Sequence, residues 1–283
     1  MGIANQVKTG LLLGGLTGLL LLIGGFLGGK TGLLIGLLFA GGLNFVSYWW
    51  SAQIVLKIYR AKEADRNKYS HLYSTVDGIR QSAGLPMPKV YIVDTPQSNA
   101  FATGRNYQHA AVAVTTGILT LLDRNELKSV LAHEISHIKN RDILISSVAA
   151  TIAGIISYIA MMARWSALFG GGDEDRGNVV ELLALAIIAP LMAMIIQLAI
   201  SRSREYLADE SGARLVKDSL SLAAALEKIE KNVQHFPFRR QGSTDATAHL
   251  FIESPFRGRG FLNLFSTHPS TKERCQRLRG MKF

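Results

Sequence analysis

Apolar positions along the chain follow two regimes. Four stretches are almost free of charge: residues 11–29, 31–50, 143–163 and 179–200, with Glu181 the one charge in the last. A helix rises about 1.5 Å per residue, so each stretch is long enough to cross a hydrocarbon layer of roughly 30 Å. The pattern predicts two pairs of transmembrane helices, at 1–56 and 143–200. Elsewhere polar residues return with regular periodicity. Over 57–84, Ile58, Tyr59, Tyr69, Leu72, Tyr73, Val76 and Ile79 recur at helical spacing until Gly84, Pro86 and Pro88 stop the run. Lys89–Asp94 and Ala110–Thr115 read as strands, with Ala100–Thr103 extended between them. Helical patterning resumes at Asp123, which has capping-box spacing to Glu126, and Leu127, Val130, Leu131, Ile135 and Ile138 supply its apolar stripe. Helices are expected at 202–217 and 220–232, then a long loop over 235–260, then a terminal helix at 269–279 with Pro269 in its first turn. The fold class is mainly α with a small β-sheet (α+β). Four membrane helices carry one cytosolic domain, assembled from segments 57–142 and 201–283.

Charge adds a topology. Residues 57–142 hold 12 Lys/Arg against 8 Asp/Glu, and 201–283 hold 15 against 9, whereas 164–178 hold 2 against 3. Basic segments stay on the cytoplasmic side, which puts both polar segments there. That distribution accounts for the net charge of +10 without nucleic acid as a partner. A cleavable leader is not expected, since only Lys8 precedes a long first run that a second follows at once. Nor does Met1-Gly2 lead to a myristoylation site, because Gln6 stands where Ser or Thr is needed. The single cysteine, Cys275, excludes an intrachain disulfide.

The candidate chemistry lies in His133-Glu134-Ile135-Ser136-His137. On a helix, positions i and i+4 share a face, so both imidazoles can reach one Zn²⁺ while Glu134 lies beside the remaining position. A catalytic zinc takes three protein ligands and keeps one position open. His137 lies 6 residues before the third apolar run and Glu205 lies 5 after the fourth, so a helical hairpin would bring them level. This assigns Glu205 as third ligand and Asp209, one turn on, as acceptor for a ligand imidazole N–H. The competing reading of Glu205 and Asp209 is a solvated acidic face among Arg202, Arg204 and Arg214. His71, His109, His235 and His249 have no motif around them.

With these residues in place, the chain resembles the HtpX family of membrane-integral zinc metalloproteases, related to the endopeptidases that process prenylated proteins. The likeness runs through VYIVDTPQSNAFATGRN, AHEISHIKNRD, SRSREYLADESGA and THPSTKER. It implies a zincin-type protease domain holding one zinc per chain, with Glu134 as general base. It also implies substrate binding at Asn99 and Ala100 beside the cleft, and His268 as a helper for the transition-state oxyanion. The activity implied is cleavage of membrane or membrane-associated, misfolded proteins at the cytoplasmic face of a bacterial inner membrane, within stress response and protein quality control. A narrow prenyl-protein-type processing peptidase is the nearer alternative. A metal-regulated membrane transporter is the alternative from another class.

Overall fold

The computed structural model describes residues 2–23, 29–169, 176–235 and 269–283. Two compact units are built from interleaved segments: residues 1–5, 50–143 and 202–283 form one, and 6–49 with 144–201 the other.

The second unit is helical. It draws on α1 (Gly2–Ile23), α2 (Gly29–Ile58), α6 (Asp142–Phe169) and α7 (Arg176–Val216). Leu16, Leu20 and Ile23 of α1 pack with Ile155, Ile156 and Ile159 of α6, and with Ala189, Ala193 and Ile200 of α7. Small residues at Ala149, Ala153, Ala189 and Ala193 allow close helix approach. Among the described residues, Asp142–Arg164 and Ile187–Val216 are long and apolar enough to cross a membrane, and Gly10–Ile23 is a shorter apolar helix. Among the described residues, large apolar side chains exposed to the surroundings cluster at residues 7–54 and 144–195, with Leu220 and Phe283 lying elsewhere.

The first unit holds a four-stranded sheet. Its strands are β1 (Lys62–Glu63), β2 (Lys89–Val93), β3 (Ala100–Thr103) and β4 (Ala111–Thr115), in the order β1-β2-β4-β3. β2 and β4 run parallel, pairing Lys89 with Ala111 through Val93 with Thr115, while β3 lies antiparallel to β4 on the outer edge. Alternation decides what each face meets. Val90, Ile92, Ala100, Ala102, Val112 and Val114 face a core shared with helices, and Phe101, Ala113 and Val93 pack with Val55 on the other side.

That core is closed by α3 (Ser70–Ala83), α4 (Thr116–Leu121), α5 (Arg124–Lys139), α8 (Leu220–His235) and α9 (Thr271–Arg279). The expected capping box starts α5: Asp123 accepts from the Glu126 amide at 3.0 Å and Glu126 accepts from the Asp123 amide at 3.0 Å. Helix α5 is the central element, with Leu131, Ala132 and Ile135 all 0% exposed.

The structure corrects three details. The helix expected over 57–84 is two helices: α2 ends at Ile58, Arg60 turns with φ 50, and Lys62–Glu63 joins the sheet before α3 begins. Asp65 Oδ1 accepts from the amides of Asn67 and Lys68, a local turn that competes with helix. The pattern did not predict α4, which starts where the Thr115 hydroxyl accepts from the Ile118 amide. Pro269 precedes the terminal helix rather than entering it, because Ser270 is the N-cap. Elsewhere the fourth apolar run and the helix expected at 202–217 join in one helix, α7. The loop expected over 235–260 lies, apart from its first residue, outside the described residues.

Truncating Ile135 to Ala should cost about 2–5 kcal/mol, the range for a buried aliphatic side chain that leaves a cavity. The measurement is the unfolding midpoint of the purified protein in detergent. A variant that melts with wild type would show that α5 does not centre the core.

Candidate active site

Helix α5 presents His133 and His137 on one face. Their Nε2 atoms are 3.1 Å apart and the rings meet edge-on, with centroids separated by 4.7 Å. Helix α7 faces them with Glu205, whose Oε2 is 3.7 Å from His133 Nε2 and whose Oε1 is 3.6 Å from His137 Nε2. These three residues form the group of donors able to hold a metal ion among the described residues. A tetrahedral zinc with bonds of about 2.0–2.1 Å sets its ligand atoms roughly 3.3 Å apart, close to all three separations.

The remaining ring nitrogens explain why the Nε2 atoms converge. His137 Nδ1 is 2.7 Å from Asp142 Oδ2. His133 Nδ1 is 3.0 Å from Asp209 Oδ1, in a contact too bent to count as a full hydrogen bond. A carboxylate beside each Nδ1 favours the proton there, which leaves both Nε2 lone pairs pointing at one spot. Two lone pairs and a carboxylate repel one another at these distances unless a cation lies between them.

Charge counting gives the same answer. Four carboxylates are buried here, those of Glu134, Asp142, Glu205 and Asp209, together with two guanidiniums, those of Arg204 and Arg274. Four against two leaves two negative charges, which a divalent ion balances. The donor set therefore fits zinc. Without it the cluster draws in a proton. Burial pulls the His137 pKa down, but the Asp142 hydrogen bond and the charges of Glu205, Asp142 and Glu134 outweigh it and hold it at about 9. For Asp209, burial raises the pKa, yet the Arg274 charge and His133 bring it to about 2.

Arg274 is wholly buried and reaches in from α9. It donates from Nε to Asp209 Oδ2 at 2.9 Å and from Nη2 to Oδ1 at 2.7 Å, and its Nη1 lies 3.4 Å from Glu205 Oε2. Glu134 lies beside the pair of histidines. Burial raises its pKa above the usual carboxylate range, against the pull of His133 and His137. Its Oε2 accepts from the Ala102 amide at 2.8 Å, which ties the helix to β3.

How α7 comes so close is decided at Gly212. A Cβ there would meet His133 N at 2.8 Å and His133 Cα at 2.9 Å. Only glycine lets the two helix backbones cross at the turn that carries His133.

The residue positions expected from the sequence thus converge for His133, Glu134, His137, Glu205 and Asp209. Asn99 and Ala100 are buried at the start of the neighbouring edge strand, where the Asn99 amide donates to the Thr115 hydroxyl at 2.9 Å. His268 lies outside the described residues. Sequence reasoning missed Asp142, Arg204, Arg274, Gly212 and the Ala102 amide. Arg274 belongs to the THPSTKER stretch, which carried a signal for the region but none for this residue. Arg204, which entered the sequence reading only in the competing picture of a solvated acidic face, is buried.

The sequence profile of peptidase family M48 matches residues 66–282. The chain belongs to this family. It is similar to the protease HtpX homolog of Desulforapulum autotrophicum, 51% identical over 279 residues that cover 97% of this chain and 89% of that one. The protease HtpX homolog of Pyrococcus furiosus is 52% identical over 281 residues, covering 99% and 96%. The resemblance to the HtpX family is borne out. Among solved structures, Ste24p of S. mikatae superposes with a TM-score of 0.59 at 17% identity. The match covers 98% of this chain and 66% of that one, and at this identity it speaks for the fold alone. An M48 peptidase with a His-His-Glu group able to hold a metal is a metallopeptidase.

Two outcomes follow from the geometry. Gly212→Ala should push α7 from α5 and weaken zinc binding at least about tenfold, because bond lengths to a structured site tolerate only about 0.2 Å. Competition with a chromophoric chelator measures it, and unchanged affinity would show that the crossing does not set the site. Zinc must also displace the proton that His137 holds below about pH 9. Affinity should therefore rise about tenfold per pH unit from 6 to 8, with one proton released per ion. Titration calorimetry in buffers of different ionisation enthalpy would detect that proton, and its absence would contradict the charge count.

Proposed function

We propose that the protein is a membrane-anchored zinc endopeptidase that cleaves membrane or membrane-associated, misfolded proteins at the cytoplasmic face. The observation that carries this reading is the convergence of His133, His137 and Glu205 on one point with Glu134 beside it. His133 and His137 would hold a single zinc through Nε2 and Glu205 through its carboxylate. When bound, zinc supplies a Lewis acid that polarises the scissile carbonyl and acidifies water.

The chain's own residues supply the rest. Glu134 has Oε2 anchored on Ala102, so Oε1 is the atom to take a proton from the attacking water and deliver it to the leaving amine. Asp209, held by Arg274, orients His133. Asn99, just before β3, and Ala100, its first residue, are assigned to substrate binding by the family resemblance; an extended substrate would add beside this edge strand as a further strand. His268 is assigned to the oxyanion by the family resemblance.

For the membrane, the reading is four spans, α1, α2, α6 and α7, in the pairs 1–56 and 143–200, with protease segments 57–142 and 201–283. Exposed apolar side chains on these helices suit contact with lipid tails. The basic excess of 57–142 and 201–283 favours the cytoplasmic side of a bacterial inner membrane. Membership of a peptidase family sets aside the metal-regulated transporter.

The test compares wild type with Glu134→Gln, both zinc-loaded in detergent, on several unrelated unfolded proteins. The variant should keep its zinc and cleave at least about a thousandfold more slowly, since base and electrostatic roles go together. Undiminished cleavage would overturn the mechanism. Wild-type cleavage restricted to one short recognition sequence would favour the narrow processing peptidase instead.

A further inference from the structure

The two zinc-facing histidines are supported in matching ways. Behind His133 stand Asp209 and then Arg274; behind His137 stand Asp142 and then Arg204. We infer that Asp142, braced by Arg204, is the positioning residue for His137, fixing its tautomer and ring orientation toward the metal. The inference rests on the zinc reading above and adds to it a residue pair that neither Glu205 nor Asp209 replaces.

Three observations converge on this role. First, both oxygens of the buried Asp142 carboxylate are committed: Oδ2 to His137 Nδ1 at 2.7 Å and Oδ1 to Arg204. A buried Arg–Asp pair is weak evidence for stability, because desolvation offsets its attraction. Here the pair has a third member, and that member is a ligand imidazole. With Nδ1 donating to a carboxylate, only Nε2 keeps a lone pair, and it faces His133 and Glu205.

Second, the backbone is bent out of its preferred conformation to deliver Asp142. It lies five residues after His137, a spacing that does not share a face on a continuous helix. Helix α5 ends at Lys139, and Arg141 adopts φ 56, a left-handed conformation that residues with a Cβ resist. Helix α6 then begins at Asp142 itself. The turn is held from outside: Arg141 Nε donates to Tyr107 Oη at 3.1 Å, its guanidinium lies over the Tyr107 ring, and Tyr107 Oη donates to the Lys139 carbonyl at 3.1 Å. Arg60 and Lys217 take the same conformation just past α2 and α7, so the turn is ordinary helix-end geometry, and what distinguishes this one is that it sets the next carboxylate beside a site histidine.

Third, Arg204 precedes the ligand Glu205 on α7. Its Nη2 donates to the Asn140 carbonyl at 2.9 Å while its head bonds Asp142. One turn of α7 therefore reaches both nitrogens of His137, with Glu205 beside Nε2 and Arg204 acting on Nδ1 through Asp142.

The test measures zinc dissociation constants of the full-length protein in detergent by chelator competition, with the apo-protein unfolding midpoint as the fold check. Asp142→Ala should raise the dissociation constant about 10–100-fold, the usual effect of removing a partner of a metal-bound histidine. Asp142→Asn retains an acceptor for Nδ1–H and should stay within about tenfold of wild type. The ligand-field spectrum of the Co²⁺-substituted protein should change in Asp142→Ala. Glu126→Ala removes a buried partner of Lys228 at the other end of α5, so it should lower the midpoint and leave zinc affinity unchanged. Wild-type affinity in a folded Asp142→Ala protein would overturn the inference. If that variant does not fold, wild-type affinity together with an unshifted Co²⁺ spectrum in the paired Asp142→Leu/Arg204→Met protein, which lacks the acceptor and leaves neither charge of the pair buried alone, would do so. If His137→Ala binds zinc as wild type does, the zinc reading itself fails.

Discussion

A surplus of buried negative charge governs this protein. Removing a carboxylate from water costs several kcal/mol unless a partner satisfies it. Four sit together here, those of Glu134, Asp142, Glu205 and Asp209, and Arg204 and Arg274 balance only two. The protein tolerates the arrangement because each carboxylate has an assigned neighbour: an amide for Glu134, an imidazole and a guanidinium for Asp142 and for Asp209. Glu205 and the two Nε2 atoms complete the set around one point, where a divalent ion would bring the sum to zero. The capacity to hold a metal follows from that imbalance.

Holding such a cluster requires rigid supports, and the fold supplies them from separate parts of the sequence. Helix α5 is packed into the core along Leu131 and Ile135, so its histidines cannot drift. The outer strand β3 reaches Glu134 through the Ala102 amide. Helix α7 approaches α5 at Gly212 within a distance that no Cβ allows. The terminal helix contributes Arg274, 0% exposed and bonded to Asp209 in two places. Leu278 and Cys275 of that helix join the hydrophobic cluster that also contains Leu131 and Ile135. The apolar packing of the unit and the polar packing of the site are thus made by opposite faces of the same elements.

Much of what depends on local spacing was legible in the amino-acid sequence by itself, though α4 and the break between α2 and α3 were not. The i, i+4 pairs His133/His137 and Glu205/Asp209, the capping box at Asp123 and Glu126, and the strands near Lys89, Ala100 and Ala111 follow from periodicity, which repeats within a few residues. Glu205 was legible because two apolar runs of similar length return the chain to its starting level. Tertiary structure alone decided the rest. Asp142 lies beside His137 only because Arg141 takes a left-handed turn, and no helical or strand spacing encodes that turn. Arg204 and Arg274 carry no sequence signal of their role, because folding buries them against carboxylates that are 62 and 65 residues away. Gly212 has no local role in its helix and matters only for the backbone that crosses it. The reason is common to all three: desolvation and close approach are properties of neighbours in space, and a linear pattern records only neighbours along the chain.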